Sequence, residues 1–446
     1  MSYISHKPTT KSAFSFLRQQ GSKKITKFLG HVICSSLRSG NEFTPVPFTF
    51  IQDHFDGKSS ETYKEIEESG LFKIQEHSFF DNECREFAAD SSIIDAFLSY
   101  DDNLNEQIVD SNTGKLYKPI TSKIDENKHP QPKLLLSAVE SLIPQDVNYE
   151  EVLAIYEEIK HQKTSNRHNI SHIRSMGQTG SYVSSYKIAR TGRLFENGGA
   201  QQLEAKYRGR ILTGKNLTNH NYDLVSAQAA CLLHCFNADN IKCEWLETYI
   251  NDDCFRKTIQ NCFNDKGMFK ILFYSTLFGG EIFPKMSQMQ FKDAGKALRS
   301  IYPNHTEDQF DACLQAFCKS IKPLRSSLDQ WLEIIVSEKW LSDHKAKTTI
   351  YGKYITNMAD KKLELTQFNG CENQMKRKLA AHILQGMEVR IISTMVAAAP
   401  SYGVGVGVLC HDGFITNSPL HPKLIEIARE SSGIHNINIT EKELSE

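Results

Sequence analysis

The sequence predicts an α+β fold that is rich in helices and contains an antiparallel sheet. Residues 286–345 and 376–399 have the apolar spacing of long helices, and the segment GVGVGVLC at 403–410 has the composition of a buried strand. His411-Asp412-Gly413 follows that strand directly, and Thr416-Asn417 is expected to begin the return strand of a hairpin. A chain of 446 residues suits two or three subdomains better than one compact core.

Other segments fill in the pattern between these elements. Residues 148–162 alternate apolar and charged side chains at helical spacing, and residues 224–237 form an apolar run that starts just after Asp223. A further helix is expected over 259–281, ending at Gly279-Gly280. Residues 100–135 are polar and rich in Asp, Asn, Lys and Pro, which predicts a loop or linker.

Charge is distributed unevenly along the chain. The net charge is −1, so the molecule as a whole does not indicate a polyanionic partner. The stretch 159–195, however, has no acidic residue, and its seven basic residues are Lys160, Lys163, Arg167, Arg174, Lys187, Arg190 and Arg193. Such a segment is typical of contact with a phosphate backbone, and a solvated loop is the alternative.

The sequence offers little sign of a disulfide framework, a zinc site or a membrane span. Eleven cysteines occur without a C-x-x-C pair, which favours reduced thiols. No apolar run approaches the roughly 18–20 residues of a membrane span. Residues 1–41 carry seven basic side chains and no acidic one, which fits either an organellar transit peptide or a nucleic-acid-binding arm.

Two aspartates lie where an acidic side chain needs compensation. Asp223 opens an apolar stretch and Asp412 follows an apolar strand, and a carboxylate in such a place is costly unless it is solvated, paired or bound to metal. Two such acids can hold the two divalent ions, Mg²⁺ or Mn²⁺, that an in-line nucleotidyl transfer needs. An Asp in a hairpin turn is also common, so each alone is weak evidence.

The helix expected between these aspartates carries Lys266, Lys270, Tyr274 and Phe278 at intervals of four, along one face. Such a face suits a triphosphate at the lysines and a base stacked on Tyr274. The alternative is a helix whose lysines extend over the edge of an aromatic core.

Five short segments between residues 191 and 413 resemble motifs of family A DNA polymerases and follow one another along the chain in the family's order. Residues 266–279 are similar to the R-x3-K-x3-F/Y-x3-Y-G helix of that family, with Lys and Phe at its first and last positions. Residues 191–194 match its T-G-R-L segment, and residues 223–234 align without gaps with D-Y-S-Q-I-E-L-R-x-x-A-H. Residues 384–386 resemble the start of I-Q-G-T-A-A-D, and residues 411–413 resemble H-D-E.

The resemblance implies a right-hand polymerase with palm, fingers and thumb that extends a DNA primer on a template with dNTPs. It implies the following division: 1–130 of unknown role, 131–180 thumb-like helices with the basic segment, 181–240 and 381–446 palm, and 241–380 fingers. No acidic exonuclease signature occurs in residues 1–150, so no proofreading is expected. We expect a cytoplasmic enzyme of a bacterial or phage-infected cell that replicates a mobile element, plasmid or phage, with no membrane partner and with organellar import left open.

The resemblance also assigns roles to individual residues. The catalytic residues would be Asp223, Asp412 and Lys270, with both aspartates as metal ligands. Nucleotide contacts would come from Lys266, Lys270, Tyr274, Gln228, Phe278 and Gly279. Contacts to nucleic acid would come from Arg193, Gln385, His411, Arg190, Lys187, Arg174 and Arg167.

Two departures from the family leave other functions open. Gly413 replaces the second motif C acid, and Gln228 replaces the Glu that in DNA-polymerising members excludes the sugar 2′-hydroxyl. A Gln is of similar length, but its amide can also hydrogen-bond a 2′-hydroxyl. The alternatives are therefore an RNA-synthesising relative, such as a primase or small RNA polymerase, and a nucleic-acid-binding module that has lost catalysis.

Overall fold

The structure is a computed structural model that describes residues 8–39, 42–46, 59–75, 85–100, 108–110, 114–115, 131–162, 164–176, 180–261, 266–344, 347–349, 352–368, 370–410 and 412–445. His411 and Lys163 lie outside the described residues, and so does the side chain of Lys266.

The strands pair antiparallel throughout, in small sheets. They are β1 (Pro8–Thr10), β2 (Thr44–Pro45), β3 (Phe72–Gln75), β4 (Glu86–Ala89), β5 (Ile108–Asp110), β6 (Gln145–Asp146), β7 (Ser181–Tyr182), β8 (Tyr186–Ile188), β9 (Leu194–Glu196), β10 (His220–Leu224), β11 (Lys347–Thr349), β12 (Gly352–Thr356), β13 (Lys362–Glu364), β14 (Val406–Leu409), β15 (Gly413–Thr416) and β16 (Ile439–Lys442).

Helices make up most of the regular structure, so the predicted helix-rich α+β class is confirmed at that level. They are α1 (Lys11–Gln19), α2 (Lys23–Ser39), α3 (Ser59–Glu68), α4 (Ser91–Tyr100), α5 (Lys133–Glu140), α6 (Tyr149–Ile159), α7 (Ser165–Met176), α8 (Ala205–Leu212), α9 (Ala227–Ala238), α10 (Glu244–Asn251), α11 (Asp253–Asn261), α12 (Lys266–Leu277), α13 (Met286–Met289), α14 (Asp293–Ile301), α15 (Glu307–Ser320), α16 (Lys322–Val336), α17 (Glu338–Asp343), α18 (Glu372–Ala398) and α19 (Lys423–Ser432).

The predicted hairpin is present, but its return strand begins earlier than expected. β14 and β15 pair within the predicted segment, and Gly413 rather than Thr416 opens the second strand. Cys410 N–H donates to the Gly413 carbonyl at 2.9 Å, which leaves two residues for the turn. All four residues of β14 are apolar and buried, so the strand runs without a polar residue up to this tight turn.

The hairpin belongs to a four-stranded sheet with the order β14-β15-β10-β16. Its core neighbours come from far along the chain: β10 lies about 190 residues before β15 and pairs with it from His220↔Thr416 to Asp223↔Gly413. β16 covers the other side of β10. The central strand β10 therefore joins the two parts of the chain that carry the predicted acids.

Side chains from the segment before β10 cover the outer edge of β14. Leu409 N–H donates to the Tyr186 hydroxyl at 2.7 Å, and Gln201 Nε2 donates to the Leu409 carbonyl at 2.7 Å. Gln201 is fixed in turn by Glu196, whose carboxylate accepts from the Gln201 N–H at 2.8 Å. Buried edge groups that would otherwise lack partners are thus satisfied.

α18 is the central helix of the largest core. It packs against α5, α9, α16 and α19, and its residues from Leu379 onward are buried on several sides. A helix enclosed in this way needs no single apolar stripe. It carries Gly386 and Glu388 into the interior, and Gln385 is partly exposed.

The N-terminal residues form a core of their own. α1, α2, α3 and α4 pack around β2–β4, with Phe28, Phe87 and Phe97 among the buried side chains. α2 of this unit also packs on α7. Among the residues described, no helix is both long and apolar enough to cross a membrane.

Candidate functional site

The sheet brings Asp223 and Asp412 together. Asp223 lies opposite Gly413 in the β10–β15 pairing. Asp412 is the residue before Gly413 and belongs to the hairpin turn. Leu224 N–H donates to the Asp412 carbonyl at 2.8 Å, which fixes the turn against β10. The two carboxyl groups lie within hydrogen-bonding reach of each other.

This closeness changes the acidity of Asp223. Burial, followed by the charge of Asp412, raises the pKa of Asp223 to about 7, and the ammonium of Lys442 opposes the rise. When two neighbouring carboxylates have little contact with solvent, their repulsion favours binding one proton or one cation between them.

Gly413 is the residue that permits this arrangement. A Cβ at position 413 would lie 2.0 Å from the Tyr222 carbonyl oxygen and 3.0 Å from the Asp223 Cα. No side chain fits there while the two strands remain paired. Gly413 is therefore required by the packing of this sheet.

A sharp turn connects Asp223 to the helix behind it. Ser226 is the residue before α9 and has the left-handed backbone conformation, with φ at 50°. Non-glycine residues rarely adopt this conformation, and such positions concentrate at functional sites. The turn lets β10 end at the site and lets α9 start immediately beneath it.

Both aspartates line a cavity of about 630 Å³. Its wall includes residues of α10, α11 and α12 as well as of the sheet and its connecting loops. They are Asp223, Leu224, Val225, Ser226, Tyr249, Ile250, Asn251, Asp253, Arg256, Lys257, Gln260, Phe269, Lys270, Phe273, Tyr274, Asp412, Asn438, Thr440 and Lys442.

Two of the helix residues singled out in the sequence face this cavity. Lys270 is exposed and Tyr274 is half-buried, one turn apart on α12. Burial raises the pKa of the Tyr274 phenol, and the nearby charges of Asp412, Asp223 and Glu388 raise it further. The phenol therefore stays protonated and can donate a hydrogen bond at neutral pH.

Aromatic packing holds α12 in place. The rings of Tyr249 and Phe273 lie 4.8 Å apart, and Trp245 stacks on Tyr249 with centroids 5.3 Å apart. Phe269 and Phe273 stack on each other at 5.1 Å. These contacts hold α12 against α10, and Phe269, Lys270, Phe273 and Tyr274 of this helix all line the cavity.

Cationic residues that sequence reasoning missed also line the cavity. Lys257 on α11 is exposed there, and Arg256 donates from its guanidinium to the Tyr249 and Ile250 carbonyls at 3.3 and 3.2 Å, at the end of α10. Lys442 comes from the last strand and pairs with Asp223. Arg256 and Lys257 could have been found in the sequence, because they are adjacent in a short amphipathic helix. No sequence pattern around Lys442 indicates a role at this site.

Gln228 lies beneath the cavity and does not line it. Its side chain is buried, its Nε2 donates to Glu388 Oε2 at 3.1 Å, and its Oε1 is buried without a partner. Glu388 also accepts two hydrogen bonds from Arg193, from Nε to Oε1 and from NH2 to Oε2, both at 2.9 Å. The three side chains form one polar cluster inside the protein.

This cluster corrects the prediction for Arg193. Its fork-like guanidinium binds the carboxylate of Glu388 in the bidentate geometry that such pairs favour, and Glu388 is 1% exposed. Arg193 could contact nucleic acid only with groups left over from this pair. Glu388 occurs three residues after Gln385, and no pattern in the sequence marked it.

Asn357 joins the two glycine motifs that the sequence singled out. Its Nδ2 donates to the Thr191 carbonyl at 2.9 Å and to the His382 carbonyl at 3.0 Å. A Cβ on Gly386 would lie 2.5 Å from the Asn357 side chain, and one on Gly192 would lie 2.8 Å from the Ala359 Cβ. Both glycines are thus needed for close packing around this turn.

The other predicted contacts to nucleic acid divide into two groups. Arg167 is buried and donates from Nε to the Lys160 carbonyl at 2.7 Å, and Arg174 is buried with its guanidinium 3.9 Å from the ring centre of Tyr156. The prediction that these two grip a phosphate backbone is wrong, because both side chains pack inside the protein. Lys187 and Arg190 are exposed, and Gln385 is partly exposed.

Phe278 and Gly279, for which nucleotide contact was predicted, lie at the end of α12. Phe278 packs against the core, and Gly279 has a φ of 76° and ends α12, with its N–H donating to the Thr276 carbonyl at 2.8 Å. A left-handed glycine is the usual way to end a helix. Neither residue lines the cavity, so their contact with a nucleotide stays a prediction.

The residues present fit a divalent cation. Mg²⁺ and Mn²⁺ prefer oxygen ligands and commonly use only one or two protein carboxylates, with water and phosphate completing the shell. Asp223 and Asp412 supply such a pair, and the raised pKa of Asp223 reflects carboxylates that are not fully compensated. Within the described part of the chain, no group of three or more His, Cys, Asp or Glu forms a separate metal site.

Comparison with known proteins adds one structural likeness. No family model matches the chain, and no curated protein matches it. The chain is similar to the POL domain of Pol1 from M. smegmatis, in a structure described as a complex with DNA primer-template and dNTP. The identity is 10%, the match covers 98% of this chain and 67% of that one, and the TM-score is 0.38. A likeness at that level does not decide a fold or a function.

Replacing Gly413 by Ala is expected to destabilise the protein by about 3 kcal/mol or more, because the methyl group meets the Tyr222 carbonyl within the strand pairing. Urea unfolding measures the change. Gly214→Ala is the control, since a Cβ there makes only ordinary contacts, at 3.4 Å and beyond. A loss below about 1 kcal/mol in Gly413→Ala would contradict the close approach of the strands.

Metal-free protein is expected to lose stability as the pH rises from about 4 to about 7. Asp223 is protonated in the folded state up to a pKa of about 7, whereas its ordinary value is 3.8, so the folded state binds the extra proton over this interval. The contribution is fully present below the lower value and is lost at the higher one. Asp223→Asn should reduce the slope by up to about 1.4 kcal/mol per pH unit.

Urea unfolding at pH 5, 6 and 7 in the presence of a chelator tests this dependence. Equal slopes for wild type and Asp223→Asn would show that the Asp223 carboxyl is not held in its protonated form.

Proposed function

We propose that this chain is a template-directed nucleic-acid polymerase that adds nucleotides to a primer 3′-hydroxyl, with DNA synthesis as the first choice. The observation that carries the proposal is the convergence of Asp223, Asp412, Lys270 and Tyr274 on one cavity. Two carboxylates on a sheet facing a lysine and an aromatic ring on a helix suit a metal-bound triphosphate with its base stacked nearby.

Each group then has a chemical task. Divalent ions held by Asp223 and Asp412 would activate the 3′-hydroxyl and neutralise the pyrophosphate that leaves. Lys270 would contact the phosphate nearest the sugar, since a flexible ammonium binds a phosphate as a point charge. The exposed Lys257 extends the same positive surface, and Lys266, at the start of α12, is proposed to act on the outer phosphates.

The architecture can be divided in the terms of a right-hand polymerase. Residues 181–240 and 381–446 would form the palm around β10, β14, β15 and β16, and residues 241–380 would form the fingers. Residues 131–180 would contribute the thumb, and residues 1–130 would be an added unit. The absence of proofreading, a mobile-element, plasmid or phage origin and a cytoplasmic location remain predictions from the sequence.

A path for nucleic acid is proposed along the exposed basic residues near β8, namely Lys187 and Arg190. They lie in and just after the strand whose Tyr186 hydroxyl accepts from Leu409, so they are tied to the hairpin that presents Asp412. Gln385 and His411 are kept as further contacts.

Asp223→Asn and Asp412→Asn are each expected to reduce nucleotide incorporation by at least about a thousandfold, because metal-ion stabilisation of the transition state is worth several kcal/mol. Primer extension with dNTPs and Mg²⁺ measures the rate, and binding of a labelled primer-template should stay nearly unchanged. The exposed Asp308 on α15 provides the control variant Asp308→Asn. Residual activity within tenfold of wild type in both site variants would refute the proposed function.

Lys270→Ala is expected to raise the KM for dNTP or lower kcat, by about tenfold or more, while affinity for primer-template changes little. The reason is that Lys270 is exposed on the cavity wall with Tyr274 one turn away. Lys296→Ala, on the exposed face of α14, removes an equal charge as control. Loss of DNA affinity with unchanged nucleotide kinetics would place the helix against the template instead.

The choice between deoxyribose and ribose is expected to depend on Gln228. Gln228→Ala shortens the side chain proposed to exclude the sugar 2′-hydroxyl and removes the amide bonded to Glu388, so the dNTP-to-NTP ratio of kcat/KM should fall by about tenfold or more. Gln374→Ala, at an exposed position at the start of α18, is the control. A wild-type protein that prefers NTPs and starts chains without a primer would favour the RNA-synthesising alternative.

A further inference from the structure

Lys442 reaches the carboxylate pair from β16, the strand that pairs with β10 on the edge opposite to β15. It is the last residue of β16, and Thr440, two residues before it, pairs directly with Asp223. Because alternate residues of a strand share a face, Lys442 and Asp223 project from the same face of the sheet. Both residues line the cavity.

The contact between the two side chains is direct. The Lys442 ammonium donates to Asp223 Oδ2 and forms an ion pair with it. The side chains are 37% and 18% exposed, so the pair is partly screened by solvent, and the lysine has room to move away.

The local charge balance explains why a cation is held there. Asp412 is within hydrogen-bonding reach of Asp223, and two ionised carboxylates at that distance repel each other. One ammonium on Asp223 offsets part of that repulsion. Position 413 has no space for a side chain and so adds no charge beside the two aspartates, and Lys442 is the cation that pairs with Asp223.

We propose that Lys442 is a built-in counter-cation that competes with a divalent metal ion for the carboxylate of Asp223. The inference rests on the proposed function, because it takes Asp223 and Asp412 as the ligands of that ion. The oxygen that Lys442 occupies is one that the ion would use, and two cations beside one carboxylate repel each other. Each must therefore lower the affinity of the site for the other.

This competition has a consequence for substrate binding. A metal ion that takes Asp223 releases the lysine onto the wall of the same cavity, where the negative charge of a nucleotide's phosphates can attract it. Free protein should then bind the divalent ion weakly, and an anionic ligand that draws Lys442 away should strengthen metal binding.

Binding of Mn²⁺ to the full-length protein, without nucleotide or DNA, tests the proposal. The Kd is obtained from the free Mn²⁺ signal in electron paramagnetic resonance at pH 8. Lys442→Met is expected to bind Mn²⁺ about tenfold more tightly than wild type, and Lys442→Arg is expected to remain close to wild type because it keeps the charge. Lys215→Met, an exposed position outside the cavity, removes the same charge as a control.

The outcomes separate this inference from the proposed function. If Asp223→Asn and Asp412→Asn abolish Mn²⁺ binding but Lys442→Met leaves the Kd unchanged or weakens it, the counter-cation role is overturned and the metal site stands. If the two aspartate variants bind Mn²⁺ as wild type does, both ideas fail. Thermal unfolding of each variant confirms that the compared proteins are folded, and Lys442→Arg gives a second folded variant for the comparison.

Discussion

Where β15 meets β10, the chain has room for a glycine and for nothing larger. The Tyr222 carbonyl would lie 2.0 Å from any Cβ at position 413, so the two strands can pair at this point because the residue after Asp412 lacks a side chain. That pairing sets Asp412 beside Asp223, although 188 residues lie between them in the sequence. The hairpin turn, the left-handed Ser226 and the start of α9 all follow from the need to end both strands at the same point. The register of the two strands therefore sets the geometry of the site, and the aspartates occupy the positions that this register provides.

The same closeness makes the site costly for the folded protein. The carboxylate of Asp223 is 18% exposed and lies next to that of Asp412, so binding a proton or a cation is favoured over leaving its charge uncompensated. The raised pKa of Asp223 reflects this preference. The ion pair with Lys442 offsets part of this cost. Deeper in the protein, Glu388 is compensated by Arg193 and by the amide of Gln228. In both places a basic side chain pairs with a buried acid. In the second place that basic side chain is Arg193, which the sequence predicted to contact nucleic acid. Sites that hold strained charges in this way commonly exchange stability for function.

The helical half of the site depends on apolar packing. Tyr249, Trp245, Phe269 and Phe273 pack α12 against α10, so the direction of α12 is fixed. Lys270 and Tyr274 of this helix line the cavity, and α11 adds Lys257. The cavity of about 630 Å³ therefore lies between the sheet, which carries Asp223 and Lys442, and the helices, which carry Lys257 and Lys270. A relative movement of α12 would alter the distance between Lys270 and the aspartates without disturbing the strand pairing.

The sequence alone determined the elements whose signal is local. The helical spacing around 148–162 and 286–345 and the apolar strand before Asp412 could be recognised because apolar patterns record what is buried. The helix over 376–399 was also predicted, although α18 is enclosed on several sides and has no single apolar stripe. Spacing by four placed Lys270 and Tyr274 on one face for the same reason. The structure decided whatever depends on contacts between distant segments: the basic residues Arg167 and Arg174 became interior groups, and Arg193 was taken by Glu388. The roles of Lys442 and Asn357 could not be predicted from the residues around them, because the partners of a salt bridge or a buried amide come from distant parts of the chain. Periodicity is a property of neighbours in sequence, whereas the compensation of a buried charge is settled only when the chain has folded.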